Sequence, residues 1–208
     1  MDINITVFIV IITVLVSVIA WKRNDIFAKM TFHAPSVIYN RELHRLFTYG
    51  FLHANWGHLF VNMFVLYMFG RHVEWEYFHF FGAKGHFLFL FLYLSAIIIS
   101  TLYDLKKHRN NDNYQAVGAS GAVSAVLFAY IFLYPTEKIY FMFIPIGIPA
   151  ILFGVLYLIY SSYMSKKNVD NVGHDAHFWG GVYGFLFTIP FQWRLLISFF
   201  EEIMQFFS

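Results

Sequence analysis

Apolar stretches of roughly 15–25 residues recur along the chain and leave few folds open to it. Each is about as long as a helix must be to cross a ~30 Å hydrocarbon core, where backbone polar groups have to be hydrogen-bonded internally. Charged residues are 12% of the 208 residues, against about 25% in ordinary soluble domains. We therefore predict an all-α, multi-pass integral membrane protein.

Six transmembrane helices are predicted, and the connections between them are polar or aromatic. Residues 22–53 mix charged and apolar side chains, which predicts a segment lying in the membrane interface. Pro145 and Pro149 should break the start of the fifth segment, and residues 192–208 should form an amphipathic end helix. We find no repeat and treat residues 1–208 as a single membrane domain. The predicted spans are 3–21, 55–69, 87–102, 116–134, 150–163 and 175–191.

Composition excludes several classes of function. The chain has no cysteine, which rules out disulfides and thiolate catalysis. The formal net charge of +2 shows no basic stripe, so nucleic acid is not an expected partner. Histidines raise the question of a metal or haem, but none has the His-x-x-x-His spacing of a zinc helix, and we predict no metal and no cofactor. These histidines are His53, His58, His72, His174 and His177.

A serine flanked by glycines opens the fourth apolar segment. Ser120 lies between Gly118 and Gly121, whose lack of a side chain lets backbone or substrate approach the hydroxyl. Helix packing is the alternative reading, because Ser and Gly are common in membrane helices. In an up-and-down bundle, segments two, four and six run in the same direction. Polar residues near their starts should therefore share one side of the membrane.

Small residues indicate which helices meet. Gly180 and Gly184 share one face of segment six with His177, and Gly121 lies beside Ser120. If these stripes pack together, the His177 imidazole reaches the Ser120 hydroxyl, as a general base must. No aspartate has a spacing that points at this pair, so we predict a Ser–His dyad.

Two further polar residues lie near the start of segment two. His58 and Asn62 are four residues apart and share a helix face. They suit an oxyanion hole, donating alongside the backbone N–H of Ser120. The structural alternatives are that Asn62 bridges two helices and that His58 is an ordinary interfacial residue.

Four motifs, in order, resemble those of the rhomboid intramembrane serine proteases. They are a second-helix signature ending in His and Asn, a Gly-x-x-x-Glu helix end, Gly-Ala-Ser-Gly, and a last-helix motif with a histidine. The motifs occupy residues 53–63, 70–74, 118–121 and 174–184, within a similarity that runs from about 45 to 191.

The resemblance implies a six-helix bundle that cleaves membrane-anchored proteins within or beside a transmembrane helix. It implies Ser120 as nucleophile, His177 as general base, and His58 and Asn62 as oxyanion donors. It further implies transmembrane substrates that enter beside segment five from the lipid bilayer, and no cofactor. A bacterial inner membrane is the expected location. The sequence specifies neither the substrate nor the oligomeric state.

Two departures and one alternative accompany the resemblance. Ser124 occupies a position where some members carry a tyrosine that stacks on the histidine, and His44 stands where a tryptophan often precedes Arg45. The alternative from another class is a non-catalytic rhomboid-like protein that binds or escorts membrane clients. Such relatives typically lack the serine or the histidine.

The direction of insertion is the one feature on which sequence arguments disagree. The family orientation, with a cytoplasmic N-terminus, leaves four basic residues on the cytoplasmic side and ten on the other. The positive-inside rule favours the reverse. We expect the family orientation, because the long first connection can fold onto the membrane.

Overall fold

The computed structural model describes residues 4–140, 146–167 and 172–208, and these are mostly helical. A short antiparallel pair of strands, with Ile139 opposite Ile148, is the one two-stranded sheet in the described residues and departs from the predicted all-α class. The helices are α1 (Ile5–Trp21), α2 (Asn24–Met30), α3 (Ala34–Tyr39), α4 (Arg45–Thr48), a 3₁₀ turn (Tyr49–Phe51), α5 (Trp56–Phe81), α6 (Lys84–Ile99), α7 (Leu102–Lys107), α8 (Ser120–Leu133), α9 (Ala150–Lys167), α10 (His174–Phe187) and α11 (Arg194–Phe207), with strands β1 (Lys138–Tyr140) and β2 (Gly147–Pro149) between α8 and α9.

The second predicted segment was too short. The sequence places a connection after residue 69, but α5 continues to Phe81. The charge of Glu74 does not end the helix, because this buried carboxylate accepts hydrogen bonds from the backbone N–H groups of Ile5 and Thr6 at 2.7 and 2.9 Å. A carboxylate at the positive end of α1 is electrostatically favoured, so Glu74 anchors α1 to α5.

Several other boundaries differ from the predicted ones. The third segment begins at Lys84 and gives way after Ile99 to α7. The sixth ends at Phe187, before a turn that leads into α11. The fifth begins at Ala150, directly after Pro149, as predicted, but continues beyond residue 163 to Lys167. Pro145 lies outside the described residues.

The fourth segment also begins later than predicted, because its first residues pair with the connection formed by residues 22–53. Ala116 exchanges backbone hydrogen bonds with Phe32, and the Gly118 N–H donates to the Tyr49 carbonyl at 3.1 Å. Helix α8 therefore begins at Ser120. The long first connection consists of α2, α3, α4 and the 3₁₀ turn, and it holds the chain immediately before Ser120.

By length and hydropathy, one helix among the described residues is fit to cross a membrane. It consists of α6 and α7 taken as one continuous span, Lys84–Lys107, with 24 residues and a mean hydropathy of 2.0 in its most apolar window. Two shorter helices, Ile5–Trp21 and Ser120–Leu133, are also apolar. At 1.5 Å per residue, α8 and α10 are each only about 21 Å long. By length and hydropathy, the prediction of six membrane-spanning helices is therefore confirmed only in part.

Helix α8 occupies the centre of the bundle, and its closest neighbour is α10. Every residue from 121 to 129 is buried. A Cβ built on Gly180 would overlap the carbonyl of Gly121, and one built on Gly184 would overlap the carbonyl of Ala125. The two backbones are therefore in direct contact at two points one helical turn apart, which only glycine permits at these positions of α10.

We expect Gly184→Ala to destabilise the protein by about 1–3 kcal/mol, the usual cost of overpacking. The added methyl would meet backbone, which cannot rotate away. The matched control is Gly154→Ala on α9, whose methyl would lie 3.1 Å from the side-chain tip of Ile131 and should cost less than about 1 kcal/mol. Thermal unfolding in one detergent measures both. Identical midpoints for Gly184→Ala and the unmodified protein would contradict the backbone contact.

Candidate active site

Ser120 is the first residue of α8 and is half-buried. The N–H groups of a helix's first turn have no intrahelical acceptor, and they form the positive end of the helix dipole. Gly118 turns the chain into this position with a φ of +126°, a conformation that residues with a side chain rarely adopt. A serine hydroxyl is thus presented beside N–H groups able to stabilise negative charge.

His177 lies in the first turn of α10 and is also half-buried. A Cβ at Gly121, next to Ser120, would lie 3.4 Å from the carbonyl oxygen of Ala176, next to His177. One turn further along α10, Gly180 touches the Gly121 backbone. The glycine contact therefore brings Ser120 and His177 to the same level on adjoining helices.

Tyr157 of α9 lies beside His177 and was not predicted from the sequence as a site residue. Its hydroxyl is 2.6 Å from the Ser124 hydroxyl, and its ring centroid is 6.2 Å from that of His177, with the planes 33° apart. In the family that the sequence resembles, some members carry a tyrosine at the position of Ser124. The sequence does show a tyrosine within an apolar helix. It does not show which residue lies next to the tyrosine hydroxyl.

His58 of α5 packs on Gly118, two residues before Ser120, and Asn62 lies one turn further along the same helix. A Cβ built on Gly118 would lie 2.6 Å from Cε1 of His58 and 2.8 Å from its Nε2, so the imidazole packs directly on Gly118. The buried Asn62 amide donates to the backbone carbonyl of His58 at 2.9 Å. An amide nitrogen carries two hydrogens, which leaves Asn62 one N–H beyond that bond.

Asp175, two residues before His177, has other partners. Its carboxylate binds Nζ of Lys107 at 2.6 Å and accepts a hydrogen bond from the Ser165 hydroxyl. It links α10 to the ends of α7 and α9. Asp170, the nearest acidic residue before it in the sequence, lies outside the described residues. Within the described ranges, no group of three or more acidic or histidine side chains is arranged to hold a metal ion.

The family was identified by comparison with known proteins. A family model described as Rhomboid domain matches residues 40–194. This chain belongs to the rhomboid family. The match begins before α4 and includes Ser120, His177, His58 and Asn62, but it leaves α1 outside. Rhomboids are a family of intramembrane serine proteases, and membership indicates an integral membrane protein built as a helical bundle.

The chain is also similar to a plant protein, "RHOMBOID-like protein 12, mitochondrial" from Arabidopsis thaliana. The two are 29% identical over 153 residues, which cover 66% of this chain and 43% of the plant protein. This chain thus matches less than half the length of that relative.

Proposed function

We propose that this rhomboid is an intramembrane serine endopeptidase that cleaves membrane-anchored proteins within or beside a transmembrane helix. The observation that carries the proposal is the backbone contact at Gly121 and Gly180, which brings the first turns of α8 and α10 to one level. A serine with N–H groups around it and an imidazole on the adjoining helix are the parts that acyl transfer needs.

In the proposed reaction, His177 accepts the proton of the Ser120 hydroxyl as Oγ attacks the scissile carbonyl. The resulting oxyanion carries the negative charge until the peptide C–N bond breaks. His177 then gives its proton to the leaving amine, and an acyl ester remains on Ser120. Water, deprotonated by His177, attacks the ester, the acyl C–Oγ bond breaks to release the new carboxyl end, and His177 returns the proton to Oγ of Ser120. Each proton taken up by His177 is returned within the cycle.

The oxyanion is stabilised in this proposal by three sets of donors. They are the N–H groups at the start of α8, the free N–H of Asn62, and the imidazole of His58. The packing of His58 on Gly118 supports its part, because Gly118 is only two residues from the nucleophile. Donors that are held in place before reaction need no reorganisation when charge develops.

Tyr157 positions His177 in the same proposal. Its ring lies beside the imidazole in a tilted arrangement, while its hydroxyl is hydrogen-bonded to Ser124 on the nucleophile helix. The tyrosine that some relatives carry at position 124 is thereby supplied from α9. This arrangement joins α8, α9 and α10 at the level of the dyad.

The remaining parts of the proposal concern the substrates, the orientation in the membrane and the cellular location. We propose transmembrane proteins as substrates, entering from the bilayer beside α9, and a cytoplasmic N-terminus. The comparisons do not support the expected bacterial inner membrane, since the plant relative is described as mitochondrial. The retention of both Ser120 and His177 favours a protease over the non-catalytic alternative, a rhomboid-like protein that binds or escorts clients.

The test of the proposed function is cleavage of a generic transmembrane substrate in proteoliposomes. Ser120→Ala and His177→Ala should each abolish cleavage, and a fluorophosphonate should label Ser120 only when His177 is present. Ser161→Ala, which removes a buried serine from α9, is the matched control and should cleave normally. Cleavage by folded Ser120→Ala would exclude this mechanism, and inactivity of the unmodified protein would favour the non-catalytic alternative.

For Asn62→Ala we expect a loss of turnover rather than of binding. Removing one oxyanion donor typically lowers kcat by about 10²–10³, and KM should stay within about twofold because the interaction forms only in the transition state. Asn113→Ala, in an exposed loop, serves as control. A raised KM with unchanged kcat would assign Asn62 to substrate binding instead.

For Tyr157 we expect the ring to matter more than the hydroxyl. Tyr157→Leu should slow fluorophosphonate labelling of Ser120 roughly tenfold, because a small displacement of a reacting pair has large kinetic effects. Tyr157→Phe should retain most of the rate. Tyr163→Leu, which replaces an exposed tyrosine on the same helix, controls for general effects. Equal labelling rates in all three variants would show that Tyr157 does not position His177.

A further inference from the structure

A buried histidine outside the proposed dyad lies beside His58. His53, in the turn between the 3₁₀ turn and α5, is fully buried, and its ring centroid is 5.0 Å from that of His58 in an edge-to-face arrangement. Nothing in the proposed mechanism uses His53. Buried polar side chains normally have their hydrogen-bonding capacity satisfied. The contacts of His53 therefore indicate its tautomer and its charge.

The contacts of His53 specify which of its nitrogens carries the hydrogen. The hydroxyl of Ser17, on α1, donates to the Phe51 carbonyl at 2.8 Å, and its oxygen is 3.0 Å from Nδ1 of His53. A serine has a single hydrogen to donate. Nδ1 must therefore be the donor in the second contact, which leaves the lone pair of the neutral ring on Nε2.

His53 is held neutral by its surroundings. Burial, with a smaller contribution from His58, lowers the pKa of His53 to about 3. Among the residues that the structure describes, its Nε2 has no hydrogen-bond partner. A neutral ring with an unprotonated Nε2 thus lies against His58 throughout the physiological pH range.

His58 is the residue on which this arrangement can act. The Ala54 N–H makes a long contact of 3.5 Å with Nδ1 of His58, which favours the tautomer with its hydrogen on Nε2. That nitrogen is the one beside Gly118. A neutral His53 whose hydrogen is on Nδ1 places neither a positive charge nor an Nε2–H donor beside His58. Local effects of this kind are strong in a low-dielectric interior.

Helix α1 fixes the position of this histidine from outside the matched domain. The Trp21 indole N–H donates to the His53 carbonyl at 2.6 Å, and the Trp21 ring packs edge-on against Trp56, the first residue of α5. Ser17 holds the side chain and Trp21 holds the backbone. The last turns of α1 therefore determine how the chain enters the helix that carries His58.

We propose that His53 is a positioning residue for His58, and that α1 acts on the active site through Ser17 and His53. The proposal rests on the proposed function only in assigning His58 to the oxyanion. Its physical content is that the Ser17–His53 pair keeps the His58 imidazole in the orientation and tautomer that present an N–H at Gly118.

Two variants separate this role from packing. His53→Phe keeps a ring of similar size but removes both nitrogens, and Ser17→Ala removes the acceptor that fixes the His53 tautomer. Each should lower kcat, by roughly tenfold for His53→Phe and less for Ser17→Ala, with KM within about twofold. Thr13→Val, one turn earlier on α1 and equally buried, is the matched control and should leave turnover unchanged.

A spectroscopic measurement tests the proposal without relying on proteolysis. In protein labelled with ¹⁵N-histidine, the His58 signals, assigned by their loss in His58→Gln, report which nitrogen is protonated. We expect the Nε2–H tautomer in the unmodified protein and in Thr13→Val, and a mixture of tautomers in His53→Phe and Ser17→Ala.

The outcomes distinguish this inference from the proposed function. Unchanged His58 signals in both variants, or equal loss of turnover in Thr13→Val, would overturn the role of His53. A protein that cleaves nothing, yet shows the tautomer change, would refute the protease proposal and leave the positioning of His58 standing. If His53→Phe does not fold, Ser17→Ala alone decides, because its ring packing is intact.

Discussion

The direct backbone contact between α8 and α10 is the interaction on which the rest of the structure depends. Gly180 and Gly184 carry no side chain, so the carbonyls of Gly121 and Ala125 occupy the space where a Cβ would otherwise lie. Apolar attraction does little to hold helices together in lipid, since the lipid tails are just as apolar, and close packing of small residues takes its place. The same contact sets the level of Ser120 relative to His177.

Hydrogen-bonded polar side chains connect helices elsewhere in the bundle. Glu74 anchors the start of α1 to α5, Tyr157 joins α9 to Ser124, and Asp175 ties the start of α10 to Lys107. Each of these three side chains is hydrogen-bonded, because an unpaired polar group costs free energy in an apolar interior. Hydrogen bonds between helices are directional, so they specify register where apolar packing alone would permit sliding.

The candidate site is assembled from segments far apart in the chain. The connection between α1 and α5 provides the Tyr49 carbonyl that holds Gly118, α5 brings His58 to the same glycine, and α9 adds Tyr157 beside His177. A positive φ at Gly118 and the first turn of α8 then present Ser120. Preorganisation of this kind is what the proposed chemistry requires, because the donors must be in place before charge develops.

Periodicity and composition determined much of this protein in advance. Apolar segments indicated a helical membrane protein, and the glycine stripes indicated that the Ser120 and His177 helices meet, because residues three and four apart share a helix face whatever surrounds it. Tertiary structure alone decided the rest. The continuation of α5 past Gly70 depends on Glu74 finding the N-terminus of α1, and the late start of α8 depends on Phe32 pairing with Ala116. Likewise, Tyr157 joined the candidate site only when α9 was brought beside His177, and the buried position of His53 depends on Ser17 and Trp21 of α1. Such contacts join residues that are far apart in the chain, and no local pattern of residue types specifies which partner a buried hydroxyl, carboxylate or imidazole will meet.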